Sequence, residues 1–309
     1  MGRHLTRSWQ ADGSLLFVTL IWGSTFLLVQ QAVAQYPVFG FLCLRFALAS
    51  LVLLPLFGRR LRLLTPRMLG AGIAIGFFLF AGYAFQTIGL QYTTSSKAGF
   101  ITGLSVVIVP ILSATLLKKF PERQALLGVV LSAAGLLLLT LGRDLTPARG
   151  DLIVLGCAFC YALHIVAVSR FAPHTDALAL TVVQVAAVAV FSGLAATLGR
   201  DWQQPLSAPV LGAAAFTGVL ATALAFAIQN HVQTWTTATH TALIFASEPV
   251  FAGIFGFWLA NERLTNWGIA GCVLILVGML VAEIGRFAPH RRAPAAGTLT
   301  MNPHGGDAA

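Results

Sequence analysis

Apolar positions in this chain neither alternate with polar ones nor recur once per helical turn; they run on for two dozen residues at a time. Ten such runs stand at 14–34, 38–57, 68–90, 96–117, 124–142, 150–170, 177–198, 209–232, 239–260 and 265–285, with short polar connectors between them. A helix of about 20 apolar residues spans a hydrocarbon core of roughly 30 Å, so each run is read as a transmembrane helix. Membrane-spanning strands would show period-two alternation in shorter segments, and these runs do not. The pattern predicts an all-α membrane protein with ten transmembrane helices.

Composition removes the alternatives. Of the 309 residues, 57% are hydrophobic and 9% charged, and the mean hydropathy is +0.84. A soluble domain carries roughly a quarter of its residues as Asp, Glu, Lys and Arg, so this chain cannot cover itself with a water-facing surface. The net charge of +9 would suggest nucleic acid in a soluble protein. Here it is read as a topology signal, and no nucleic-acid partner is expected. Cys43, Cys157, Cys160 and Cys272 all fall inside apolar runs and are read as small packing residues, with no disulfide framework and no metal site. The first run is too long for a cleaved signal and is read as a retained span.

The basic residues set an orientation. With the N-terminus in the cytoplasm, the inner side receives Arg3, Arg7, Arg59, Arg60, Arg62, Arg67, Lys118, Lys119, Arg123, Arg170, Arg286, Arg291 and Arg292. The outer side receives only Lys97, Arg143, Arg149, Arg200 and Arg263. That asymmetry follows the positive-inside rule and puts both termini in the cytoplasm. Residues 1–13 form the cytoplasmic N-terminus, and the Ala/Pro/Gly-rich tail 287–309 is expected to be disordered.

The chain also reads as a duplication, 14–143 and 150–286. Ala84-Phe85 and Ala225-Phe226, Pro110 and Pro249, and Gly128-x6-Gly135 and Gly271-x6-Gly278 recur in the same order. Five spans per half is odd, so the second half enters from the opposite side, giving an inverted repeat.

Trp22-Gly23-Ser24-Thr25-Phe26, Leu44-Arg45-Phe46, Tyr92-Thr93-Thr94-Ser95-Ser96-Lys97-Ala98, Glu248-Pro249-Val250-Phe251 and Glu262-Arg263-Leu264 occur in that order. Together with the two five-helix halves they resemble the drug/metabolite transporter superfamily, in its EamA branch. The resemblance covers roughly 14–286 and implies a ten-helix inner-membrane carrier that works without ATP hydrolysis, often as an exporter of amino acids, metabolites or drugs. One position departs from the pattern: Lys119 stands in the first half where Glu262 stands in the second.

An ionisable group deep in a bilayer costs about 2.5–3.5 kcal/mol on insertion scales, so one that is retained faces a cavity or a partner. Arg45 and Glu248 are the two deep ones. Two readings stand side by side: Glu248 binds a cationic group or a proton with Arg45 as counter-charge or carboxylate clamp, or the two form a structural ion pair. Trp22, Ser24, Thr25, Gln86, Thr102, Tyr161, His164 and Gln229 are expected at middle depth around a central cavity, with Lys97 at its mouth and Trp235 as an interfacial anchor. His164 is either a proton-coupling group or a satisfied core histidine. Pro110 and Pro249 each withhold an N–H inside a run and are expected to break or kink their helices.

These residues point to a secondary active transporter of small organic metabolites working by alternating access, and the resemblance implies amino acids or drug-like compounds as solutes and the cell inner membrane as its place. Efflux is what the resemblance implies, with import or a non-transporting sensor as alternatives. No G-x-x-x-x-G-K-[ST], H-E-x-x-H or G-x-S-x-G occurs, so no cofactor, metal or catalytic centre is expected. The partners expected are a small solute, the lipid bilayer and a coupling proton, with the chain acting as monomer or homodimer.

Overall fold

The computed structural model describes residues 2–93, 95–140, 149–260 and 265–287, and among these every regular element is a helix. The helices are α1 (Gly2–Val33), α2 (Val38–Phe57), α3 (Pro66–Gly89), α4 (Ser95–Gly103), α5 (Ser105–Leu116), α6 (Arg123–Thr140), α7 (Arg149–Phe171), α8 (Ala177–Leu198), α9 (Ala208–Gly218), α10 (Ala225–Val232), α11 (Ala238–Phe245), α12 (Glu248–Ala260) and α13 (Asn266–Phe287). Eight segments within them are long and apolar enough to cross a membrane, and Arg123–Leu138 and Asn266–Ala282 are shorter apolar helices. Glu262, Arg263, Arg143 and the tail 288–309 lie outside the described residues.

Local chemistry explains several starts. Thr65 caps α3, its Oγ1 accepting from the Met68 N–H at 3.3 Å ahead of Pro66, and Asp176 caps α8 by accepting from the Ala179 N–H at 2.9 Å. Each side chain satisfies a backbone donor that has no partner within its helix.

Three of the runs read as single helices are interrupted. The run 96–117 breaks at Leu104, after Gly103, where Leu104 N–H reaches back only to the Ile101 carbonyl at 3.1 Å. The run 239–260 breaks at Ala246-Ser247, so Glu248 opens α12 instead of sitting mid-helix. Pro249 is therefore the second residue of a helix, where its missing N–H belongs to the first turn and costs nothing. Pro110 does lie inside α5. In the run 209–232, residues Val219–Leu224 form a π-helical segment between α9 and α10. At the other end of the chain, α1 starts at Gly2, earlier than the apolar run suggests.

Hydrogen bonds sort the helix ends onto two faces. Asp12–His240, Arg60–Asp176 and Gln233–Ser169 join ends on one face, here called the basic face because Arg59, Arg62, Arg67 and Arg170 adjoin those ends. Gln30–Thr93, Gln91–Val33, Thr93–Asp151 and Gly40–Asp201 join ends on the opposite face.

Packing places α2 against α8, α3 against α7 and α8, α1 against α12, and α6 along α13. The last pair depends on glycine. A Cβ on Gly128 would stand 2.6 Å from the Gly278 carbonyl oxygen, and one on Gly135 2.7 Å from that of Gly271. The first glycine of one pair thus meets the second of the other, as antiparallel helices place them. Small residues at such crossings let helix backbones touch.

Candidate functional site

Between the packed helices lies a cavity with an empty volume of ≈ 720 Å³, the open solvent at its rim included. Trp22, Thr25, Phe26 and Val29 from α1 line it, as do Leu79, Tyr83 and Gln86 from α3 and Leu90 just beyond it. Arg45 comes from α2, Thr102 and Gly103 from α4, and Ser105 from α5. Tyr161, His164 and Ile165 come from α7, Phe226 and Gln229 from α10, Phe245 from α11 and Glu248 from α12.

Nine of the ten side chains predicted to gather here do so. Ser24 does not line the cavity, and its hydroxyl donates to the Ile21 carbonyl at 2.7 Å. The lining positions 22, 25, 26 and 29 make one stripe of α1, and position 24 falls off that stripe at about 100° per residue. Pro110 and Pro249 lie outside the lining, as does Trp235, whose ring packs on His231 at 4.9 Å. The Lys97 side chain lies outside the described residues.

Arg45 is 3% exposed and held firmly. Its Nε donates to Thr222 Oγ1 at 2.8 Å, and Nη2 donates to the Tyr83 hydroxyl at 3.1 Å and to the Ala221 carbonyl at 3.5 Å. The guanidinium carbon also sits 4.6 Å from the centre of the Tyr83 ring, within cation–π range. Arg45 and Glu248 share the cavity, yet the ion pairs within 4 Å among the described residues are Arg60–Asp176 and His240–Asp12. A direct Arg45–Glu248 ion pair, one of the two readings of these residues, is therefore not the arrangement seen. Arg45 is committed to α3 and the π-helical segment instead, and the Glu248 side chain, half-buried, makes no hydrogen bond among the described residues.

Aromatic rings complete the walls. Trp22 lies 5.0 Å from Phe245 and 5.5 Å from Phe226, and its indole N–H donates to the Ala221 carbonyl at 2.8 Å. Tyr83 lies 5.5 Å from Tyr161, whose ring rests where any side chain on Gly82 would have to go. Gln86 joins two walls: its Nε2 donates to Thr102 Oγ1 at 3.2 Å and its Oε1 accepts from the Tyr161 hydroxyl at 3.4 Å. His164 Nε2 is 2.7 Å from Gln184 Oε1, so this histidine is a hydrogen-bonded part of the wall.

Sequence reasoning missed Tyr83, Phe226, Phe245 and Ser105, and with them Thr222 behind Arg45. A signal for Tyr83 was present: 79, 83, 86 and 90 follow one face of α3, and Gln86 already marked it. Chemically, the site offers one fixed cation, one carboxylate, several amides and hydroxyls, and aromatic faces. It holds no grouping of three or more His, Cys, Asp or Glu suited to a metal among the described residues.

A chain of membrane-crossing helices around a polar, charge-bearing cavity is built as a multi-pass membrane transporter. The EamA-like transporter family matches residues 10–141 and again 148–283, and the chain belongs to that family. An uncharacterized transporter of Archaeoglobus fulgidus is 32% identical over 274 residues, covering 89% of this chain and 86% of its own length. The uncharacterized transporter YyaM of Bacillus subtilis is 27% identical over 289 residues, covering 87% of this chain and 92% of its own. A solved protein crystal structure, 20% identical, shares the fold with a TM-score of 0.73 over 89% of this chain and 97% of that one.

Proposed function

We propose that the protein is a secondary active transporter that carries small organic metabolites across the cell inner membrane by alternating access, with the cavity as its substrate site. The observation that carries this reading is the pairing of Arg45 and Glu248 in one aromatic-walled cavity without contact between them. Each retained charge costs free energy in a bilayer, and a solute placed between them can meet both. Glu248 receives a cationic group of the solute, or the coupling proton, while Gln86, Thr102, Tyr161, His164 and Gln229 supply hydrogen bonds and Trp22 a flat apolar face.

Ten spans in two inverted five-helix repeats, with both termini in the cytoplasm, are the topology this reading uses. The two family matches of similar length support it, as does the crossed glycine contact between α6 and α13. Repeats of this kind place a site at their interface and open it to each side in turn. On the positive-inside rule the basic face is cytoplasmic. The outward direction of transport rests on the resemblance to exporters.

Flux in proteoliposomes tests the proposal, using labelled amino acids, a nucleoside, a sugar and a cationic dye, each with and without a proton gradient. At least one compound is expected to move faster with the gradient. Glu248→Gln is expected to remove that acceleration, lowering driven flux by about tenfold or more, the equivalent of one lost contact to a charge at roughly 1.5–3 kcal/mol. A folded protein that moves nothing in the panel contradicts the reading.

A further inference from the structure

Arg45 raises a question of charge that the cavity alone does not answer. A guanidinium stays protonated at any physiological pH, and burying it is costly unless an anion or several acceptors compensate. Arg45 is buried, and its three hydrogen-bond partners are a hydroxyl, a phenol and a carbonyl, all neutral. Among the described residues no carboxylate lies within 4 Å of it. Its Nη1 makes no hydrogen bond to any described residue, while the side chain lines the cavity.

The partners come from an unusual piece of backbone. Val219–Leu224 is π-helical, a form that is rare and uses i→i+5 bonding. Thr222 Oγ1 donates to the Thr217 carbonyl, five residues back, at 2.9 Å, which leaves its oxygen lone pairs for Arg45 Nε. The Ala221 carbonyl accepts both the Trp22 indole N–H and Arg45 Nη2. One segment thus fixes two cavity residues from two other helices. It grips the guanidinium by Nε and Nη2, so that Nη1 is the end left over.

We infer that the π-helical segment and Tyr83 form the back of an anion subsite, which aims Arg45 Nη1 at a carboxylate group of the transported solute. This rests on the transporter reading and deepens it by naming one chemical group the solute carries. Thr222 and Tyr83 are positioning residues, acting through Arg45. The carboxylate supplies the charge that the neutral partners do not, and a hydrogen bond between two charged groups is among the stronger kinds.

Three probes sharing one ring test this: phenylalanine, its decarboxylated amine phenethylamine, and phenylacetate. Their affinities for the purified full-length protein in nanodiscs are read by equilibrium dialysis. Phenylalanine is expected to bind at least about tenfold tighter than phenethylamine, the difference one charge-assisted hydrogen bond supports. Thr222→Val is expected to weaken phenylalanine more than phenethylamine and collapse that ratio, whereas Thr222→Ser keeps the hydroxyl and restores it. Tyr83→Phe, which keeps the ring, is expected to reduce the ratio partway and serves if Thr222→Val does not fold. Phenethylamine binding as tightly as phenylalanine overturns the subsite, as does a ratio unmoved by Thr222→Val or, where that variant does not fold, by Tyr83→Phe. Binding of none of the three probes overturns it too. The transporter reading is judged apart from this by the flux panel, since a solute without a carboxylate that moves in the flux panel leaves it standing.

Discussion

The two ends of the cavity are closed by different means. Toward the basic face, α1 meets α11 and α12 through the Asp12–His240 ion pair at 2.8 Å and through the Thr19 and Ser247 hydroxyls, 3.0 Å apart. Gln233 adds bonds of 2.6 Å to the Ile165 carbonyl and to Ser169 Oγ. An apolar cluster that includes Leu15, Val18, Val166, Val232 and Ala242 fills the space between. Toward the opposite face, the end of α1 meets the segment after α3 through long amide–carbonyl bonds, from Gln30 at 3.5 and 3.4 Å and from Gln91 at 3.3 Å, while Thr93 donates to Asp151 at 2.6 Å and Val29, Val33, Leu90 and Val154 belong to an apolar cluster. Short bonds, one of them to a carboxylate, and apolar burial hold better than long neutral bonds. The contacts that α1 makes toward the opposite face are therefore the weaker set and are expected to open first.

Breaking the strong closure has the largest expected effect. Asp12 and His240 are 13% and 9% exposed, so their 2.8 Å contact is made in a mostly dry site. Asp12→Asn is expected to loosen this end by about 2 kcal/mol, close to a thirtyfold faster thiol labelling of a cysteine placed at Ile165 and reached from the basic face. Gly23→Ala is next. The added Cβ would stand 2.7 Å from Phe251 Cβ and 2.9 Å from the Ala252 nitrogen, so α1 must separate from α12. A loss of about 1–3 kcal/mol is expected, read as a lower Tm.

Ser247→Ala removes one buried hydroxyl contact. It is expected to cost about 1 kcal/mol and to speed the same labelling roughly fivefold. Gln30→Leu gives the smallest effect, within about 0.5 kcal/mol, because the bonds it removes are already long. If Gln30→Leu loosened the molecule as much as Asp12→Asn, the two closures would be equivalent and the comparison would fail.

The parts legible in the sequence and the parts not legible follow from what each depends on. The helices of residues 38–57 and 177–198 match their apolar runs end to end, since lipid demands unbroken backbone hydrogen bonding and an apolar surface. The break at Ala246-Ser247 sits beside a proline and was half visible. The π-helical turn at Val219–Leu224 was not visible, because Val-Leu-Ala-Thr-Ala-Leu is ordinary helix sequence and the groups that bond to it, Arg45 and Trp22, come from distant parts of the chain. Site residues were legible where burying a polar group in lipid is expensive, as for Arg45, Gln86, His164 and Glu248. Phe226 and Phe245 carry no such cost and look like any lipid-facing phenylalanine until the helices pack. That Arg45 and Glu248 take the unpaired one of their two readings has a related reason: depth along a helix says which groups can meet, while Thr222 and Tyr83 decide where the guanidinium goes.

The most direct test of a single cavity, firmly closed toward the basic face and lightly toward the other, is two-sided labelling in sealed vesicles. A membrane-impermeant maleimide is applied from one side and then the other to single cysteines at Val29 and Ile165, with Cys43, Cys157, Cys160 and Cys272 replaced by Ala. The account predicts that both positions react from the opposite face in the otherwise unaltered protein, and that Asp12→Asn makes Ile165→Cys reactive from the basic face as well. Reaction from the basic face alone, or from both faces without Asp12→Asn, would contradict it.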